Sequence, residues 1–163
     1  YAATINPLGP KKAGKSADLD NLAAYVTSLS TFPRSPFRTA QGCLTAEAQR
    51  GQQVFQTASC TTCHGTAVSQ DNQRHDVGTV QPSSGTGSGQ PLAGVGFDTP
   101  TLTGIWQSSS YFHNGQAATL ADVFRPNLSA VHGGKIGAGN VAAVTAYLRS
   151  LDGQNVCTGV ASR

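Results

Sequence analysis

Between positions 60 and 64 the chain reads Cys60-Thr61-Thr62-Cys63-His64, and no other run limits its fold so strongly. Two thiols separated by two residues, with a histidine directly after them, form the attachment pattern of a c-type haem. The spacing lets both sulfurs reach the two vinyl groups on one edge of a porphyrin. The adjacent imidazole is then placed to bind the iron from the proximal side. Two rival readings of the cysteines fit less well. A dithiol redox pair belongs in a strand–helix unit rich in Val and Ile, which residues 45–75 do not resemble. A zinc site needs two more ligands at compact spacing, and Cys43 and Cys157 stand alone and far apart.

A chain of 163 residues can bury one real core. Charged residues make up 12% and the formal net charge is +3. Apart from Lys11, Lys12 and Lys15 the cations are scattered, so no nucleic-acid footprint is expected. With 19 Gly and 8 Pro the chain should be rich in loops, which a haem tolerates by supplying apolar core of its own. No apolar run reaches the roughly 18 residues that a membrane-spanning helix needs. Neither an initiator Met nor a signal peptide is present. Because haem is attached covalently outside the bacterial cytoplasm, the chain is expected to be a processed form or a piece of a longer protein. It should work in the periplasm or beyond the cell. In that oxidising setting Cys43 and Cys157 are expected to pair.

Periodicity predicts a helix from Ser16 to Leu29, capped by Ser16, with an apolar stripe of Leu19, Leu22, Val26 and Leu29 ending before Pro33 and Pro36. A second helix is expected from Thr45 through Ala48, Gly51, Val54 and Phe55 into the haem motif. Residues 78–96, dominated by Gly, Ser, Pro and Gln, read as a long loop. Thr99-Pro100 reads as a helix start leading to Leu102, Ile105 and Trp106. Short helical character is expected over Thr119–Phe124, and a last helix over Val141–Leu151 with Asn140 as cap and Gly153 beyond its end. No alternating strand is evident, so the expected class is all-α with long loops.

This arrangement resembles the cytochrome c fold, in which a helix bearing Gly and Phe precedes Cys-x-x-Cys-His and crosses a C-terminal helix bearing an aromatic and a Leu. The resemblance implies that Gly51 and Phe55 meet Tyr147 and Leu148. Three segments are similar to the C-terminal haem domain of di-haem cytochrome c peroxidases and MauG-like proteins: Arg74-His75-Asp76-Val77-Gly78-Thr79, Phe97-Asp98-Thr99-Pro100-Thr101-Leu102 and Tyr111-Phe112-His113-Asn114-Gly115. Residues 16–38 resemble the tail of a preceding haem domain. The organisation so implied is an N-terminal arm and helix over 1–40 and a monohaem domain over 41–163. A single Cys-x-x-Cys-His means that this chain alone holds one covalent haem c, and the absence of Met removes the Met ligand common in this branch.

His64 is the proximal iron ligand on this reading. The sixth ligand in such folds comes from the loop before the last helix, which singles out His132; His113 is the second choice, with Tyr111 and Lys135 as minor ones and an open site as another alternative. Trp106, Arg74 and Arg125 are candidate donors to the haem propionates, and His75 resembles a residue at the haem edge. Ligation by His64 and His132 implies a low-spin, electron-transferring haem serving a redox partner protein or an upstream redox domain. The alternatives are a part of a peroxidase-like or MauG-like di-haem oxidoreductase, and a haem sensor with an open sixth site.

Overall fold

The computed structural model describes residues 13–65, 70–87, 90–154 and 157. Backbone contacts divide the chain into two units, residues 1–32 and 33–163. Lys11 and Lys12 lie outside the described residues.

In the first unit the predicted helix forms as α1 (Ala17–Ser28). Ser16 occupies the N-cap position in extended backbone, but its hydroxyl makes no capping bond. Asp20, in the first turn where negative charge suits the helix dipole, accepts instead from the Gly14 N–H ahead of the helix at 3.0 Å. The apolar stripe of α1 is exposed.

The second unit is organised by α2 (Ala46–Thr57) and α4 (Val141–Arg149), with the one-turn α3 (Thr61–His64) following α2. Thr45 caps α2, its Oγ accepting from the Ala48 N–H at 3.2 Å. The two long helices touch at Gly51. A Cβ placed there would lie 1.9 Å from the Ala143 carbonyl oxygen and 2.9 Å from Tyr147 Cβ, so only a residue without a side chain permits the crossing. Phe55 and Tyr147 then meet edge to face, ring centres 5.5 Å apart at 62°. Leu102, Leu120, Phe124, Ile136, Val144, Leu148 and Leu151 complete the buried cluster.

A polar clasp fixes the end of α4. Asp152 is 1% exposed; it pairs with Arg38 at 3.0 Å and accepts from the Ser35 N–H at 2.9 Å. Arg38 also donates to the Ser150 carbonyl, and the Ser35 hydroxyl to the Arg149 carbonyl. The segment after Pro33 thus belongs physically to the unit that carries the haem motif. Cys43 and Cys157 form the expected disulfide, with Cα atoms 4.5 Å apart.

The architecture is mostly helical, with departures from the expected elements. Arg74–His75 (β1) pairs antiparallel with Phe97–Asp98 (β4), and Thr86–Gly87 (β2) with Gln90–Pro91 (β3). These ladders are two residues long, too short to leave an alternating pattern. The second lies inside the stretch read as a loop. Gly96 lets the first ladder close, because with φ +78° a Cβ there would fall 1.9 Å from the His75 carbonyl. Thr99-Pro100 starts no helix. The Thr99 hydroxyl is turned toward Asp71, donating to it at 2.9 Å, and helical character begins only in a 3-10 turn at Ile105–Gln107. The segment near 119–124 is likewise a 3-10 turn at Asp122–Phe124. Asn140 closes a 3-10 turn, Ala138–Asn140, that leads into α4 and makes no side-chain cap.

Gly51→Ala must force α4 away from α2. It is expected to cost about 1–3 kcal/mol in denaturant unfolding of the haem-loaded protein; an unchanged midpoint would contradict the crossing. The disulfide joins residues 114 apart, and replacing both cysteines by Ser should remove about 3–5 kcal/mol in the same assay.

Candidate functional site

The haem motif sits where α2 ends. Ser59 adopts a left-handed conformation, φ 58°, and turns the chain so that the Cys60 N–H bonds the Phe55 carbonyl at 3.1 Å. One helical turn then places Cys60, Cys63 and His64 together. Both thiols are partly buried and free of disulfide. Burial raises the pKa of each, with Lys135 pulling in the opposite direction. They are protonated thiols at neutral pH, unlike the low-pKa thiolates of dithiol redox pairs.

His64 packs against Phe55, ring centres 6.4 Å apart. Its Nδ1 is buried and has no hydrogen-bond partner. Burial lowers the pKa of the ring and the Pro100 carbonyl partly offsets this, so that carbonyl is the acceptor nearest to serving Nδ1. A metal-bound histidine normally donates its second ring N–H to such a group, which orients it.

His132 faces His64 from the loop ahead of α4, with ring centres 6.3 Å apart and planes inclined at 45°. Burial, reinforced by His64 and Lys135, pushes its pKa down to about 4, so the ring is neutral at pH 7. Ser129, 3% exposed, holds it. The Ser129 hydroxyl donates its one proton to the Val77 carbonyl at 2.7 Å and meets His132 Nδ1 at 3.2 Å. The Ser129 oxygen can therefore only accept from the ring. That assigns the proton to Nδ1 and leaves the Nε2 lone pair free. Gly133 has a packing role: a Cβ there would strike the carbonyls of Ser129, Arg125 and Pro126 at 2.5–2.8 Å. Its bareness lets the loop fold on itself and present His132. Phe112, held at φ 64°, places its ring 5.8 Å from His132. Ser129 and Phe112 were missed as site residues; the Phe112 position was visible only as part of a motif.

The remaining candidates are dispersed. His113 stacks on Phe97 at 4.2 Å and contacts the hydroxyls of Thr79 and Ser84; it is not brought to His64. The Trp106 indole N–H is buried without a partner, the condition of a donor awaiting an anionic acceptor. Arg74 pairs with Asp98 at 3.2 Å and Arg125 with Asp122 at 2.7 Å. The Tyr111 hydroxyl donates to the carbonyls of Ile105 and Ser108. Lys135 is exposed. His75 bonds Asp71 at 2.6 Å, and the Asp71 carboxyl is held at about 2 by the Gln73 N–H, His75 and Thr99. Asp71 and His75 also lie close to Cys63, a spacing the sequence did not reveal, but a sulfur committed to a thioether is no thiolate for a second metal. Two thiols, two facing neutral imidazoles and two orphaned buried N–H groups fit a covalent haem.

Residues 48–152 match the cytochrome c family. The chain is also similar to the gamma subunit of hydrazine synthase from Kuenenia stuttgartiensis, 34% identical over 139 aligned residues, covering 64% of this chain and 39% of that protein. A solved structure of Kuenenia stuttgartiensis hydrazine synthase, pressurised with xenon, matches 82% of this chain and 55% of its own with a TM-score of 0.64 and 30% identity. The chain thus spans about two-fifths of the curated relative's length.

Ser129→Ala removes one of the two donors to the Val77 carbonyl, leaving the Ala130 N–H alone on it, and leaves the His132 ring unanchored. The expected result is a loss of about 1–3 kcal/mol in unfolding, with imidazole nitrogen NMR showing a mixture of His132 tautomers instead of one.

Proposed function

The chain belongs to the cytochrome c family, and from that premise we propose that it is a one-electron carrier whose iron is held between His64 and His132, low-spin, in an exported redox protein larger than this chain. Family membership brings covalently bound haem c and haem-based electron transfer. Cys60 and Cys63 are the thioether residues and His64 is the proximal ligand. Bound haem supplies a one-electron iron couple.

The observation that carries the distal assignment is the 6.3 Å between the two imidazole centres. Imidazole–metal bonds of about 2.0–2.1 Å, as known for zinc, set two opposed nitrogens roughly 4 Å apart and their ring centres roughly 6 Å apart. The Ser129 hydrogen bond supports the same reading by leaving Nε2 of His132 free. Two histidines give a lower potential than a His/Met pair, and the chain has no Met. Were His64 and His132 both to hold the iron, it would serve electron transfer and leave no vacant place for peroxide or gas. The work of the protein is then to hold two neutral rings at fixed spacing, to keep water from them, and to offer Trp106 as a donor to a propionate.

A second reading is favoured by the relative's description as a subunit of a synthase: the electrons pass to or from a catalytic centre elsewhere in a larger assembly. The likeness of three motifs to peroxidase and MauG-like domains belongs with this reading.

The reduced holoprotein is expected to bind carbon monoxide negligibly, whereas His132→Ala should bind it readily; rapid binding by the unaltered protein would overturn the assignment. The pH dependence has a definite sign. The His132 pKa is lowered from 6.5 to about 4, so across that window the unfolded chain binds more protons and stability rises with pH. Iron ligation further favours the neutral ring. The low-spin spectrum should therefore persist on acidification to about pH 4; conversion to a high-spin form centred above pH 6 would contradict the ligation.

A further inference from the structure

Asp71 is tied to the haem motif by its backbone and held still by its side chain. Its N–H donates to the Cys63 carbonyl at 3.1 Å. An oxygen of its carboxylate, a ring nitrogen of His75 and the Cys63 sulfur all lie within 4.8 Å of one another. Three donors fix that carboxylate. The Gln73 N–H and the Thr99 hydroxyl reach Oδ1 at 3.0 and 2.9 Å, and His75 Nε2 reaches Oδ2 at 2.6 Å. Thr99 is buried, and its N–H bonds the Gln73 carbonyl at 3.1 Å, so two of the donors are joined to each other. Hydrogen bonds to the ionised form favour it, and Asp71 is a full negative charge at neutral pH. Lys135 acts on the Cys63 sulfur with the opposite sign. It is exposed, a hydrated ammonium on a flexible stem, whereas the Asp71 side chain is 22% exposed and cannot turn away. Holding the iron between two imidazoles calls on neither Asp71 nor its donors.

We infer that Asp71 sets the potential of the haem: its fixed carboxylate, beside the sulfur that joins the porphyrin, favours ferric over ferrous iron. Ferric haem carries one positive charge more than ferrous haem, so a neighbouring anion attracts the oxidised state more strongly. A partly covered charge is also screened less by salt than one on the open surface. Once the Cys63 sulfur is a thioether it holds no second metal, and the part left to the cluster of Cys63, Asp71 and His75 is electrostatic. Gln73, Thr99 and His75 act through Asp71: they keep the charge at one place and in one state. Nothing in the sequence marks this, because Asp71 reads as a turn residue until its carboxylate is seen against Cys63. The role rests on the haem attachment at Cys60 and Cys63 proposed above and is independent of the sixth ligand.

Spectroelectrochemical titration of the haem-loaded protein at pH 8 tests it, with three variants. Asp71→Asn keeps the shape and an oxygen for Gln73 and Thr99 but loses the charge. It should shift the reduction equilibrium toward ferrous iron by about three- to tenfold, tenfold being about 59 mV for one electron, with the absorption spectrum unchanged. Asp71→Glu keeps the charge and alters the shape; its potential should stay within about twofold of the unaltered protein. Glu47→Gln makes the same change in net charge at the far end of α2, where Glu47 pairs with Arg50 on the surface, and should shift the equilibrium by less than about twofold. An unmoved potential in Asp71→Asn would overturn the inference. So would Asp71→Glu moving as far as Asp71→Asn, which would make the role one of shape, or Glu47→Gln moving as far, which would make it one of net charge. Peptide mass spectrometry of the same samples separates the two levels. Haem found on other residues would sink the attachment and this role together, whereas an unmoved potential with haem on Cys60 and Cys63 would sink the role alone.

Discussion

The close approach of α2 and α4 at Gly51 is the contact on which the rest of this structure depends. α2 leads directly into the haem motif, so the direction in which Cys60, Cys63 and His64 face is set by how α2 lies on α4. A methyl group at Gly51 would overlap the Ala143 carbonyl. Once the helices touch, Phe55 is positioned to pack on Tyr147 on one side and beside His64 on the other. The same aromatic therefore joins the core to the proximal side of the site. The buried Arg38–Asp152 pair with its surrounding hydrogen bonds fixes the far end of α4, and the Cys43–Cys157 disulfide ties the start of this unit to its end. Breaking such a buried pair from one side is costly, because the remaining charge is left unpaired.

The side that carries His132 is built by different means. No long helix carries His132. Its loop is anchored through Ser129 to the Val77 carbonyl, and the backbone of the same loop folds tightly because Gly133 has no side chain. The Ala130 N–H bonds Val77 as well. Val77 follows the β1 strand, so the β1–β4 ladder and the His132 loop are mechanically one piece. The His64 imidazole is thus placed by helix packing and the His132 imidazole by hydrogen bonds. This division explains why single polar substitutions in the loop should move the His132 ring before they act on the fold.

The proximal half was legible in the sequence. Cys-x-x-Cys-His is a local pattern with a covalent reason for its spacing, and the Gly51, Phe55, Tyr147 and Leu148 positions followed from resemblance. The capping role of Thr45 and the pairing of Cys43 with Cys157 were also readable. The half around His132 was less so, because what fixes it is not local. Ser129 meets Val77 across a long stretch of chain. Thr99 looked like a helix cap and instead bonds Asp71, which no nearby residue reveals. Two-residue ladders carry too few side chains to show alternation.

The central claim is that His64 and His132 hold the iron together, and near-infrared magnetic circular dichroism of the ferric holoprotein at neutral pH tests it most directly. The account predicts a single low-spin species with the charge-transfer signature of two imidazole ligands, lost in His132→Ala and retained in His113→Ala. A high-spin ferric spectrum, or a bis-imidazole signature that survives the loss of His132, would contradict it.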